Sequence, residues 1–247
     1  MQRGSVNAIA RFAAQLDHVP GEDACLALIA GYVDTFGFVA LFGLLTAHVT
    51  GNFILIGAEL ADAGHGLLIK WLAFPAFVAG IVFARMLDNS LLHREQPVRA
   101  HALYVLQTVL LAGYMVAGLL AMPVTDADAP LTIACGLLGA AAMGVQNAHG
   151  RLTTRAVVAN TVMTGNVTQA VIDGFDLLFS SGDLGARQAA RSRLLRILPP
   201  VAGFAVGACA GAAGFLLASF WALLLPLAAL CVLAVLVRRM GTPKIGI

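Results

Sequence analysis

Apolar stretches long enough to cross a bilayer follow one another along the chain at about residues 24–44, 71–87, 102–122 and 131–149. An uncharged run from Ile197 to Val237 comes after them. A bilayer core of about 30 Å takes roughly 20 helical residues, so the last run predicts two helices with a tight turn near Ser219. Two further apolar stretches, about 46–60 and 161–178, are shorter or carry polar side chains. Before residue 24 the chain is mixed, with Arg3, Arg11, Asp17, Glu22 and Asp23 breaking any apolar run. No signal-peptide core can be drawn there, and the start of the chain is expected to stay in the cytoplasm.

Composition agrees with this pattern. Of 247 residues, 60% are hydrophobic and 11% charged, with Lys+Arg 15 and Asp+Glu 13; a soluble domain carries roughly a quarter charged residues. The net charge of +2 is dispersed between apolar stretches, which leaves no basic footprint for nucleic acid. Cys25, Cys135, Cys209 and Cys231 lie in apolar runs without metal-ligand spacing and read as small core residues. Walker, dinucleotide, nucleophile-elbow and His-Glu-x-x-His motifs are absent from the sequence, so an enzyme and a cofactor are not expected.

The two uncertain stretches carry the same motif. Ala47-His48-Val49-Thr50-Gly51-Asn52 resembles Thr161-Val162-Met163-Thr164-Gly165-Asn166, and upstream Gly31-Tyr32-Val33-Asp34 matches Gly144-Val145-Gln146-Asn147. The spacing from each first glycine to each Asn agrees within one residue. Small residues four apart follow in both halves, Gly80 and Ala84 in one and Gly203, Gly207 and Gly211 in the other. Features in the same order at an offset of about 113 residues predict an internal duplication.

Basic residues set the topology. If both Thr-Gly-Asn segments cross fully, there are eight spans, and Arg85, Arg94, Arg99, Arg151 and Arg155 fall outside. If each dips in and returns, there are six spans and only Lys70 departs from the positive-inside rule. The second arrangement is preferred. It gives an all-α, polytopic transmembrane helical bundle of six full spans plus two Thr-Gly-Asn half-helix, re-entrant segments. Three spans per half invert the second copy, a 3+3 inverted repeat. The divisions are a cytoplasmic segment at 1–23, a first membrane repeat at 24–122, an outside loop at 123–130, a second repeat at 131–238 and a cytoplasmic tail at 239–247.

A Thr-Gly-Asn break entering a helix cannot face lipid, because its open backbone groups need partners. Opposed half-helices would bring Asn52 and Asn166 towards the bilayer midplane and aim two positive helix ends at one point. The alternative is an ordinary capped loop at the membrane surface. Asp34 is the only acid well inside the first span, a candidate proton or cation site or a hydrogen-bond partner of a neighbouring helix. Its mate Asn147 cannot titrate. His48 and His149 are further candidates because a histidine can titrate in the physiological range, although an interfacial histidine is more often structural. The candidate pathway residues are Asp34, His48, Thr50, Gly51, Asn52, Gln146, Asn147, Thr164, Gly165 and Asn166, with no catalytic or metal-ligating residue.

Arg85 next to Asp88 reads as a snorkelling end. Arg187, Arg191, Arg193 and Arg196 read as an anchor on anionic lipid. The Gly203, Gly207 and Gly211 series permits close packing within the bundle or, as the lesser reading, a homo-oligomer face.

The stretch from Gly31-Tyr32-Val33-Asp34 through Leu45 to Thr46-Ala47-His48-Val49-Thr50-Gly51-Asn52 resembles the opening signature of the YoaK-like bacterial membrane proteins, a domain-of-unknown-function family. Gln146-Asn147 and Met163-Thr164-Gly165-Asn166 resemble its second signature. The resemblance runs from about residue 22 to 238 and implies a polytopic protein of the bacterial inner membrane, without a substrate. Many relatives would carry Asn or Ser where this chain has His48. The expected function is a small-solute transporter or channel whose partners are the lipid bilayer and a small solute or ion. The alternative is a non-transporting membrane scaffold or assembly factor that binds another membrane protein through its glycine faces.

Overall fold

The computed structural model describes residues 19, 21–62, 66–153, 163–179 and 184–240. Most of the segment expected at 1–23 and of the tail expected at 239–247 lies outside these residues, as do Arg155, Thr161 and Val162. The described residues are all-helical, with no strand among them. In chain order the α-helices are α1 (Glu22–Ala40), α2 (Gly51–Asp62), α3 (Leu67–Ser90), α4 (Gln96–Ala121), α5 (Pro130–Leu152), α6 (Met163–Phe179), α7 (Leu184–Ala218) and α8 (Leu224–Met240). A 3-10 turn at Ser219–Leu223 separates α7 from α8, at the position where the sequence requires a reversal. Among the described residues five stretches are long and apolar enough to cross a membrane: α1, α3, α4, α5 and the continuous Leu184–Met240.

Helix directions follow from ordered contacts. Ala24, Leu28 and Tyr32 of α1 face Gly203, Gly207 and Gly211 of α7 in that order, so α1 and α7 run parallel. Ile69 lies on Gly136, and Gly80 and Phe77 lie on Ala141 and Gly144, so α3 and α5 are parallel too. Gln107 meets Gln146 and Tyr114 meets Gly139, which makes α4 antiparallel to α5. His101 meets Ala234 and Gly118 meets Phe220, which makes it antiparallel to α8. Leu26 meets Gln146 while Thr46, packed on Gly37, meets Gly139, so α1 opposes α5. Thus α1, α4 and α7 run one way, and α3, α5 and α8 the other. The chain between α1 and α3 therefore starts and finishes at one end of the bundle, and the chain between α5 and α7 at the opposite end.

Glycines set the closeness of both parallel pairs. A Cβ on Gly207 would lie 2.0 Å from the Leu28 carbonyl oxygen, and one on Gly80 2.2 Å from that of Ala141. Gly31 rests in the same way on Phe204, and Gly144 on Phe77. The expected small-residue series is used here inside the chain. The homo-oligomer face considered for Gly203, Gly207 and Gly211 is filled by α1, because backbone-to-backbone approach leaves no room for a second helix. Cys135 is buried, but Cys209 and Cys231 are exposed on α7 and α8, which corrects their reading as core residues. Arg85 does more than snorkel: it reaches Asp88 at 3.1 Å, and Arg99 of α4 binds the same buried carboxylate at 2.5 Å. That triad ties α3 to α4.

Overpacking a tight backbone contact costs about 1–3 kcal/mol. Gly207→Ala is therefore expected to lower the detergent-solubilised protein's Tm by several degrees, measured by thermal unfolding. Gly57→Ala, where an added Cβ meets nothing within 4 Å, is expected to leave Tm unchanged.

Candidate functional site

The first motif is assembled by a reversal at the end of α1. Leu41 and Gly43 amides return to the carbonyls of Gly37 and Phe38, closing the helix, and Phe42 takes a left-handed φ of 52° that glycine usually occupies. The Phe42 carbonyl is held by the Lys70 ammonium at 2.5 Å. The chain then runs back along α1. Thr46 Oγ1 donates to the Val33 carbonyl at 3.2 Å, and the Ala47 and His48 amides donate to Asp34 Oδ1 at 2.7 and 3.2 Å. Val33 and Asp34 lie seven and six residues before Ala40, the last residue of α1, so the loop tip has travelled about 10 Å back along α1.

α2 starts at this depth. The amides of Gly51, Asn52 and Phe53 bond to the carbonyls of His48, Val49 and Thr50, which makes a tight entry turn. Asn52 turns inward: its Oδ1 accepts the Leu45 amide at 2.9 Å and its Nδ2 donates to the Leu45 carbonyl at 2.8 Å. Both ends of the buried amide are thus bonded to the loop backbone. A Cβ on Gly51 would meet the Leu45 Cδ1 methyl at 2.6 Å, so a larger residue there needs that side chain to shift. α2 then leads back to the starting end, where buried Lys70 pairs with Glu59. The basic residue that departs from the charge rule is thus neutralised inside the protein.

His48 is the open member of the site. Its Nδ1 lies 2.7 Å from Asp34 Oδ2; the His48 side chain is 34% exposed and that of Asp34 6%. The imidazole meets Phe204 of α7 edge-on, with ring centroids 5.3 Å apart. Thr50 is exposed beside it. Among the described residues Asp34 is bonded neither to Tyr32, whose hydroxyl donates to the Ala222 carbonyl, nor to another helix; its partners there are the loop tip and His48.

Second-half residues are distributed differently. Gln146 is buried on α5, donating to the Leu26 carbonyl at 2.8 Å and accepting from Gln107 at 2.7 Å; it links α5 to α1 and α4. Asn147 is half-buried on the same helix. Thr164 and Gly165 are exposed at the start of α6 and Asn166 is half-buried. α6 packs along α7, where Asp173 binds Arg193 at 2.6 Å and the Leu177 carbonyl accepts from Arg187. The structure brings Asp34, His48, Thr50, Gly51 and Asn52 together at the loop between α1 and α2, while Asn166 stands on α6, which packs along α7.

One repeated feature is absent from the sequence expectations. Glu59 and Asp173 each stand seven residues after the Asn of their motif, and each is ion-paired to a cation on the following helix. The shared spacing was the available signal.

The family described as "Protein of unknown function (DUF1275)" matches residues 24–236, so the chain belongs to it and is a membrane protein. The UPF0700 transmembrane protein YoaK of Bacillus subtilis (strain 168) is 24% identical over 155 residues, which cover 62% of this chain and 66% of that relative. The matched part is thus just under two thirds of the curated relative's length. No solved structure matches the chain.

Removing Asp34 strands two buried amides, each worth about 1–3 kcal/mol. Asp34→Ala is expected to reduce Tm strongly, whereas Asp34→Asn, which keeps one acceptor oxygen, recovers part of the loss. Equal Tm values for the two variants would contradict this role.

Proposed function

We propose that this member of the DUF1275 family is a small-solute transporter or channel of the bacterial inner membrane and not an enzyme. In this reading α1, α3, α4, α5, α7 and α8 cross the membrane, α2 and α6 are re-entrant, and both termini are cytoplasmic. The observation that carries it is the loop tip about a third of the way back along α1, held by a buried carboxylate and presenting a partly open imidazole. Irregular backbone at such depth persists where it lines a cavity or is buried in protein, and ionisable groups there mark pathways.

Two further features support the three-plus-three inverted repeat. The contact of Leu28 and Gly31 with Gly207 and Phe204 is matched by that of Ala141 and Gly144 with Gly80 and Phe77. Each residue is replaced by its counterpart in the other half. The alternating helix directions also give each half an odd number of traverses. Asp34, Gly51, Asn52 and Gln146 serve in this reading to hold the pathway, and His48 and Thr50 to face it. Asn147, Thr164, Gly165 and Asn166 belong to the second half's contribution. A scaffold would need free glycine faces, and these glycines are occupied within the chain.

In a background where Cys25, Cys135, Cys209 and Cys231 are replaced, Thr50→Cys is expected to react with a small membrane-impermeant maleimide in intact vesicles of one orientation. Ala30→Cys, buried on α1, is the unreactive control. A Thr50→Cys protein inert from both sides would overturn the pathway.

A further inference from the structure

His48 and Asp34 form an oriented pair whose open end is chemically defined. Asp34 Oδ1 is occupied by the Ala47 and His48 amides and Oδ2 by His48 Nδ1. An acceptor on Nδ1 leaves the lone pair of the neutral ring on Nε2. The ring is partly exposed while the carboxylate is enclosed, so a proton that reaches the pair meets the ring before the carboxylate.

The surroundings are poor in competing charge. On α1, Asp34 is the acid at this depth. α7 presents Phe204 and carries no charged residue from Ile197 to Ala218; its Cys209 is exposed. α4 contributes Tyr114, whose buried hydroxyl lies beside Gly37 and has no hydrogen-bond partner among the described residues. The adjacent stretch of α5 offers Cys135, bonded to the Tyr114 carbonyl. Glu59 on α2 and Lys70 on α3 neutralise each other at the far end of α2. A charge change at this depth therefore falls on the histidine and its carboxylate.

We propose that His48 is a proton-binding site and that the proton is the ion coupled to solute movement, an assignment that rests on the pathway reading above. A proton from the aqueous phase bonds to the Nε2 lone pair. Nδ1–H remains donated to Asp34, and the pair passes from net negative to neutral; release breaks the same N–H bond. A neutral pair crosses or rearranges within apolar surroundings at far lower cost than a charged one. Protonation therefore licenses movement of the loop tip, and the unprotonated pair holds it.

The test has two arms. In the first, the Thr50→Cys protein is labelled with the maleimide between pH 5 and pH 8, with rates normalised to an exposed Ser90→Cys control. The accessibility of Thr50→Cys is expected to change severalfold across the histidine range and to lose that dependence when His48→Gln or His48→Asn is added. In the second, the ¹⁵N-histidine NMR spectrum of the otherwise native chain is followed over the same range. The resonance missing in His48→Gln is expected to titrate at Nε2 while Nδ1 stays protonated. A pH profile unchanged by both His48 variants, or a His48 resonance that does not titrate, overturns the proposal even if Thr50→Cys is reactive. Thr50→Cys inert at every pH, with His48 titrating, instead overturns the pathway reading and leaves proton binding established.

Discussion

Asp34 accepts hydrogen bonds from two consecutive backbone amides and from the imidazole that follows them, and the course of the first half depends on this. A chain that leaves a helix and turns back among apolar helices carries peptide groups that water would otherwise satisfy. Within a membrane interior each unsatisfied group costs several kcal/mol. One carboxylate meets the demand at the loop tip, the Asn52 amide meets it at Leu45, and a tight turn meets it at the start of α2. With the tip fixed, α2 points back to the end from which the chain came. Lys70 then closes the circuit by binding both Glu59 and the Phe42 carbonyl.

The surrounding helices form a frame held by shape more than by charge. α1 with α7, and α3 with α5, approach until glycine positions rest on carbonyl oxygens. Apolar lipid supplies no hydrophobic drive for association, so close backbone packing and interhelical hydrogen bonds take its place. The Gln107–Gln146–Leu26 chain is such a bond set, linking α4, α5 and α1 through buried amides. Phe36, Tyr114, Phe215 and Phe220 fill the opposite end of the core through edge-on contacts.

Much of the fold was legible because a bilayer imposes length. The stretches at 24–44, 71–87, 102–122 and 131–149 became α1, α3, α4 and α5 with shifted ends, and the reversal near Ser219 is present. Asp34 and His48 stood out because ionisable side chains are rare in apolar runs. Their contact was not legible, since a loop of unspecified path separates them. The direction of the Asn52 amide was not legible for a related reason: sequence identifies an amide, but only the returning Leu45 backbone reveals that it faces inward. The acids at Glu59 and Asp173 were obscured by their place at the ends of marginal segments. The glycine series could not distinguish an internal neighbour from a second copy, because both use the same small surface.

The account depends most on α2 and α6 each returning to the side from which they came. Topology reporters inserted after residue 65 and after residue 185 test this directly. The six-span, inverted arrangement predicts opposite sides of the membrane, outside after 65 and cytoplasmic after 185. Both reporters in the cytoplasm, as eight full crossings require, would contradict it.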